Sequence, residues 1–155
     1  MLLIESNKNL IEIEMDIINS DNYFNFASKG KETLAREEIL TKIAESSEIG
    51  AERYLISESN EYIGILDFLM KNPNDGCTWL GLLLIKKDYQ GKGYGFKALN
   101  LFYEIMKERN VGIFRIGVIA GNEPAHTFWK RQGFKRVSST IKDAKEIIIY
   151  EKTII

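Results

Sequence analysis

The chain has 155 residues, 45% hydrophobic and 28% charged, and its 21 basic and 22 acidic residues leave a formal charge of −1. That is enough apolar material for one globular domain over residues 1–155, and it lacks the basic excess or stripe of a nucleic-acid binder. A single histidine and a single cysteine can build neither a His/Cys zinc site nor a disulfide framework, so no metal is expected.

Met1-Leu2-Leu3-Ile4-Glu5 lacks the basic stretch and apolar length of a signal peptide, and no apolar run nears the length of a bilayer span. A cytoplasmic protein with no membrane partner is the expectation. Residues 10–18 carry apolar side chains at Leu10, Ile11, Ile13, Met15, Ile17 and Ile18. That pattern mixes the helix and strand periods, and helix is favoured because Asn9 could cap it and Asn19-Ser20-Asp21-Asn22 could stop it. Tyr23-Phe24-Asn25-Phe26 could pack in the core, line a substrate pocket or form a homodimer face. Residues 33–47 read as a second helix, with Leu34, Ile39, Ile43 and Ala44 on one side and Gly50 after its end.

The period then shortens. Residues 53–57 and 62–70 read as strands. Pro73 and Asn74-Asp75-Gly76 supply turn chemistry, and 78–85 reads as a central strand buried on both faces. Residues 96–109 form the clearest helix, with Ala98, Leu101, Phe102, Ile105 and Met106 on one stripe. A strand at 114–119 and a helix at 123–132 follow, with Asn122 as N-cap and Gly133 as stop. Strands at 134–140 and 147–153 close the chain. The order predicts a mixed-sheet α/β or α+β domain.

Between the strand ending at Ile85 and the helix near Phe96 lies Gln90-Gly91-Lys92-Gly93-Tyr94-Gly95. Glycines let backbone approach an anion, and a helix N-terminus then points N–H groups at it. The spacing fits neither a dinucleotide fingerprint, because Phe96 stands where its third glycine belongs, nor a Walker A loop, because Gly93 follows Lys92. His126, which any His-based triad would need, falls in what reads as the start of a helix.

The loop resembles the acetyl-CoA loop of the GNAT N-acetyltransferase superfamily, [Gln/Arg]-x-x-Gly-x-[Gly/Ala], through Gln90, Gly93 and Gly95. Asn122-Glu123-Pro124-Ala125 and Phe128-Trp129-Lys130-Arg131-Gln132-Gly133-Phe134 resemble the family's later signatures, in the same order and spacing. The resemblance covers residues 53–153 well and the first fifty poorly. It implies the GNAT fold: a mixed central sheet with an antiparallel meander, splayed parallel strands and flanking helices. It implies acetyl-CoA as cosubstrate and a small-molecule or peptide amine as acceptor. By the same resemblance, Gly91, Lys92, Gly93, Tyr94 and Gly95 hold the pyrophosphate, and Leu83, Leu84 and Ile85 pair with the pantetheine arm. The N–H near Leu83 polarises the thioester carbonyl, and Asn122, Phe128 and Trp129 line the far side.

Two residues stand out within that frame. Asp67 lies mid-strand on the face of Ile63, Ile65 and Leu69, where a carboxylate is costly unless something uses it. It is read as a general base or amine anchor, against a structural carboxylate, and Glu58 and Glu61 are weaker candidates. Trp129 stands where many relatives carry a tyrosine that protonates the leaving thiolate, and an indole cannot do that; core packing is its alternative role. Tyr94 and Tyr150 are other phenols that could approach the site, and neither is assigned a catalytic role. A non-catalytic acyl-CoA sensor on the same fold is the alternative function.

Overall fold

In the computed structural model, which describes residues 1–154, the elements follow the predicted order closely from residue 52 onward and less closely before it. Ile155, the end of the expected domain, lies outside the described residues. The chain opens with a strand that the periodicity did not reveal, β1 (Leu2–Glu5), too short to register a period. Asn7, not Asn9, supplies the next cap: its side chain accepts the Asn9 N–H and starts a 3-10 turn that runs into helix α1 (Ile11–Ile18). The polar stretch after α1 is less a stop than a second start. Asp21 accepts the Phe24 N–H at 3.0 Å and caps α2 (Asn22–Lys29), which Gly30 ends in a left-handed conformation. Helix α3 (Arg36–Glu48) begins three residues later than its apolar pattern suggests, where Glu38 reaches back to the Ala35 N–H.

Strands β2 (Glu52–Glu58), β3 (Glu61–Leu69) and β4 (Trp79–Ile85) form the expected antiparallel meander. The chain then crosses through α4 (Tyr94–Glu108) to β5 (Ile113–Ile119), turns through α5 (Glu123–Arg131), and closes with the hairpin β6 (Lys135–Lys142) and β7 (Lys145–Thr153). Among the described residues the strands make one seven-stranded sheet in the order β1-β2-β3-β4-β5-β7-β6, and β4 with β5 is its parallel pair.

Helices cover both faces. Ala98, Leu99, Phe102 and Met106 of α4 and Trp129 of α5 pack with Phe68, Leu80, Phe114 and Ile116 of the sheet. On the other side Ile11, Ile17 and Ile18 of α1 and Ile39 of α3 pack on Leu55, Ile65 and Leu84. Each helix buries one apolar stripe and the sheet buries both faces, which is how this layered architecture removes apolar surface from water. The expectation that β4 is buried on both faces needs correction: Gly81 is exposed and Leu82 and Leu83 are only half-buried. The cause is the course of β5.

Candidate active site

β4 and β5 touch as a ladder at one register pair, Trp79 with Arg115, where the Arg115 N–H also donates to Thr78 O at 2.9 Å. Beyond that point they part. On its other side β4 stays paired to β3 up to Gly64–Ile85, but the register slips at Gly81: Asp67 faces Leu82 and Phe68 faces Leu80. Such a bulge bends the strand that carries it, and here it sits two residues past the ladder pair with β5. The result is a fork whose β4 side runs through Leu82, Leu83, Leu84 and Ile85. Leu84 and Ile85 bury their side chains, so what they present to the fork is backbone.

At the open end of the fork the chain makes a 3-10 turn (Lys87–Tyr89) and enters the glycine loop. Gly91 and Gly93 have φ of +74° and +85°, a region that L side chains rarely adopt. Nothing lies within 4 Å of where a Cβ would stand on either. Gly93 is the N-cap of α4, and the first intrahelical bond runs from the Lys97 N–H to Gly93 O at 3.1 Å. The N–H groups of Tyr94, Gly95 and Phe96 therefore have no partner within the helix. No acidic residue stands in the first turn, so the positive end of the helix dipole is left uncompensated. Lys92 and Lys97 lie over the rings of Tyr89 and Tyr94 at the same place. The helix starts two residues earlier than its apolar stripe predicts, and Phe96 is a surface residue.

The remaining expected residues divide. Gln90 is turned inward: its amide donates to Ile85 O at 2.7 Å and to Asp21 Oδ2 at 2.8 Å, tying the loop to the end of β4 and the cap of α2. Phe128 packs against α4 at Gly95, where a Cβ would stand 3.5 Å from its ring, an ordinary contact. Asn122 caps α5, accepting the Ala125 N–H. Trp129 is a core residue, edge-on to both Phe128 and Phe134. The packing role is the one its contacts support. Tyr150 is buried too and meets His126 Nδ1 at 2.6 Å, while His126 Nε2 lies within hydrogen-bonding reach of the Ile119 and Ala120 carbonyls. That pair fastens the end of β5 to α5 and β7. Tyr94 sits in the first turn of α4.

Asp67 is brought to the fork, but not among aliphatics alone. Its Oδ2 accepts from Arg53 at 3.1 Å, and the same guanidinium grips Glu14 with Nε at 2.9 Å and a terminal nitrogen at 2.6 Å. Ser6 donates to the second Glu14 oxygen at 2.6 Å. Burial pushes the Asp67 carboxyl above its ordinary range, with Arg53 pulling the other way and Glu14 adding to the rise. A Cβ built on Gly81 would stand 3.2 Å from Asp67 Oδ1, so this oxygen lies against the bulge. Glu14 and Arg53 were not singled out from the sequence. The signal for Glu14 was present: it stands three residues from both Ile11 and Ile17, on the buried stripe of α1. Glu58 and Glu61 flank the β2–β3 turn at the opposite end of β3, and Glu61 accepts from the Tyr89 hydroxyl.

Residues 15–134 match the acetyltransferase (GNAT) family. The match begins well before residue 53, where the motif resemblance begins, and starts within α1. No curated protein matches. Among solved structures the chain is similar to an acetyltransferase from Thermus thermophilus, at 22% identity and TM-score 0.80 over 98% of this chain and 96% of that one. It is also similar to a spermidine N-acetyltransferase chimera from Vibrio cholerae and hSSAT, at 11% identity and TM-score 0.72 over 98% and 94%. A third is the ribosomal-protein-S18-alanine N-acetyltransferase from Escherichia coli, at 13% identity and TM-score 0.72 over 99% and 93%. At these identities the likeness is one of fold.

Proposed function

The chain belongs to the acetyltransferase (GNAT) family, whose members use acetyl-CoA, and from that premise we propose that it moves the acetyl group to a primary amine by direct attack in a ternary complex. The observation that carries this reading is the fork. Strand edge, glycine loop and free helix N-terminus follow one another along the chain from the parted end of β4 into α4, and a strand-like arm ending in phosphates needs all three. The residues fit that cosubstrate: space is open above Gly91 and Gly93, and the N–H groups of Tyr94, Gly95 and Phe96 suit an anion. Lys92 adds a point charge. The free edge of β4 from Leu83 to Ile85 offers backbone to the amides of the arm.

Bound acetyl-CoA supplies an acyl group on a good leaving thiolate. The protein must then do two things. A backbone N–H near Leu83 stabilises charge on the carbonyl oxygen as the N–C bond forms and the C–S bond breaks. Asp67, held by Arg53 and set against the bulge, anchors the incoming amine and takes its surplus proton, directly or through water. Its raised carboxyl is better suited to that than an ordinary aspartate. Trp129 has no part in proton transfer. The whole of 1–155 acts as one catalytic domain.

The test is thiol release from acetyl-CoA with a panel of primary amines. Turnover is expected with at least one. Asp67→Asn should lower kcat/KM on the order of a hundredfold and leave acetyl-CoA affinity unchanged. A folded Asp67→Asn enzyme with wild-type kinetics would remove Asp67 from the chemistry.

A further inference from the structure

A cavity of about 360 Å³ opens beside the fork, between the end of β1, the last turn of α3 and the start of β2. Its lining includes Glu5, Ile43, Ser47, Arg53, Tyr54 and Asp67. Ligand pockets run from about 300 to 1,000 Å³, so this one suits a slender group. Asp67 is the link to the fork, because it lines the cavity and its Oδ1 lies against Gly81. Among the described residues Oδ1 takes no hydrogen bond, although the Asp67 side chain is only 9% exposed.

The charge of the cavity is legible. Glu5 and Asp67 line it with Glu52, which Arg109 already holds by two hydrogen bonds, and the single base in the lining is Arg53. Arg53 is already held by two carboxylates, Glu14 and Asp67, and so has little to offer an anion. The C-terminal turn of α3 contributes Ser46 and Ser47 to the rim, and no basic residue stands in that turn. The negative end of its dipole therefore faces the cavity without compensation. Ile43 and Tyr54 give apolar wall for a hydrocarbon stem. An acidic interior, an apolar wall and a buried carboxylate with a free oxygen at the inner end describe a receptor for an alkylammonium.

We propose that this cavity is the acceptor subsite, that it admits a primary alkylammonium chain, and that the ammonium lands on Asp67 Oδ1 at the fork. The proposal rests on the acetyltransferase reading for its word acceptor, but not for the binding itself. A free diamine and a lysine side chain share this chemistry.

Calorimetry on the full chain without acetyl-CoA tests the binding, with 1,5-diaminopentane and Nα-acetyl-lysine amide as probes and 5-aminopentanoate as an internally neutralised control. Either cationic probe should bind, more weakly as salt rises, and the control should not. Ser47→Trp and Ile43→Trp fill the cavity from two sides, so one can fail to fold without ending the test. Each folded variant should lose about tenfold in affinity, a loss typical of one charge-assisted hydrogen bond. In turnover the same variants should raise KM for the amine and leave KM for acetyl-CoA within about twofold. The proposal is overturned if neither probe binds, or if binding survives both fillings unchanged. Cavity-dependent binding with no turnover upholds the subsite and sinks the transferase reading instead. The better of the two probes separates a free polyamine from a protein lysine.

Discussion

Asp67 shows how a side chain's neighbours decide its chemistry. Burial alone would make it a neutral acid, and Arg53 alone would make it a fixed anion. With Glu14 sharing the same guanidinium, neither extreme is reached, and burial keeps the carboxyl above its ordinary range. A stability consequence follows from the sign of that shift. Folded Asp67 holds its proton to higher pH than the unfolded chain does, where the ordinary value of 3.8 applies. In the window that opens at 3.8 the folded state binds more protons, so stability contributed by protonated Asp67 is present below it and lost as pH rises through the folded value. Asparagine cannot titrate. Urea unfolding of Asp67→Asn across mildly acidic pH should show its stability relative to wild type growing as pH rises above 3.8. A difference independent of pH would mean that Asp67 titrates in the folded state as it does unfolded. The groups facing Asp67 are Arg53 from β2 and Glu14 from α1, with Glu5 at the end of β1 across the cavity, while β4 presents Gly81.

The loop and α4 act as one element, because Gly93 both ends the loop and caps the helix. Its φ of +85° is where a Cβ is strained whatever the surrounding space, a penalty of roughly 1–2 kcal/mol per residue. Gly93→Ala should therefore lower stability by about that amount and, by shifting the first N–H groups of α4, weaken acetyl-CoA binding. Gly121→Ala is the control: it has equally open space and no positive φ, and should stay within about 0.5 kcal/mol. Thermal unfolding and cofactor titration of both variants check this, and equal behaviour would remove the conformational argument. At this scale the sequence was most legible where chemistry is local. Glycine spacing marked the loop, and the stripe of Ala98, Phe102 and Met106 marked α4. It was least legible where an element is short or its pattern divided. β1 has four residues, and α2 mixes Asn22, Asn25 and Ser28 with its aromatics, so no period survives. The ion cluster joins α1, β2 and β3, and no local pattern reports a contact between Glu14 and Arg53. Gln90 fell on the right motif, yet its amide faces Asp21 and Ile85, a partnership visible only in three dimensions.

The molecule is a sheet interrupted at its centre. β1 to β4 form one paired body, β5, β7 and β6 another, and one register pair joins them along the backbone. What holds the halves together is the core beneath: Phe102 of α4 meets Phe68 of β3 and Phe114 of β5 edge-on, and Phe134 continues the row. Such a construction keeps strand edges unpaired, which a sheet does not leave without reason. An arm that pairs with the β4 edge and fills the gap to β5 should therefore stabilise the whole fold and the fork most of all. At about a hundred times its dissociation constant, acetyl-CoA adds roughly 2.7 kcal/mol, or about 5–10 °C in melting temperature for a chain of this size. ATP or NAD at equal concentration should add far less, since neither carries an arm that can enter the fork. Hydrogen exchange locates the effect. Amides of Leu82 to Ile85 and of Gly117 to Ile119 should slow on binding, together with those of Gly93 to Phe96. Stabilisation with protection confined to the glycine loop would mean a ligand held by its phosphates alone, and the fork would lose its role as the seat of the reacting arm.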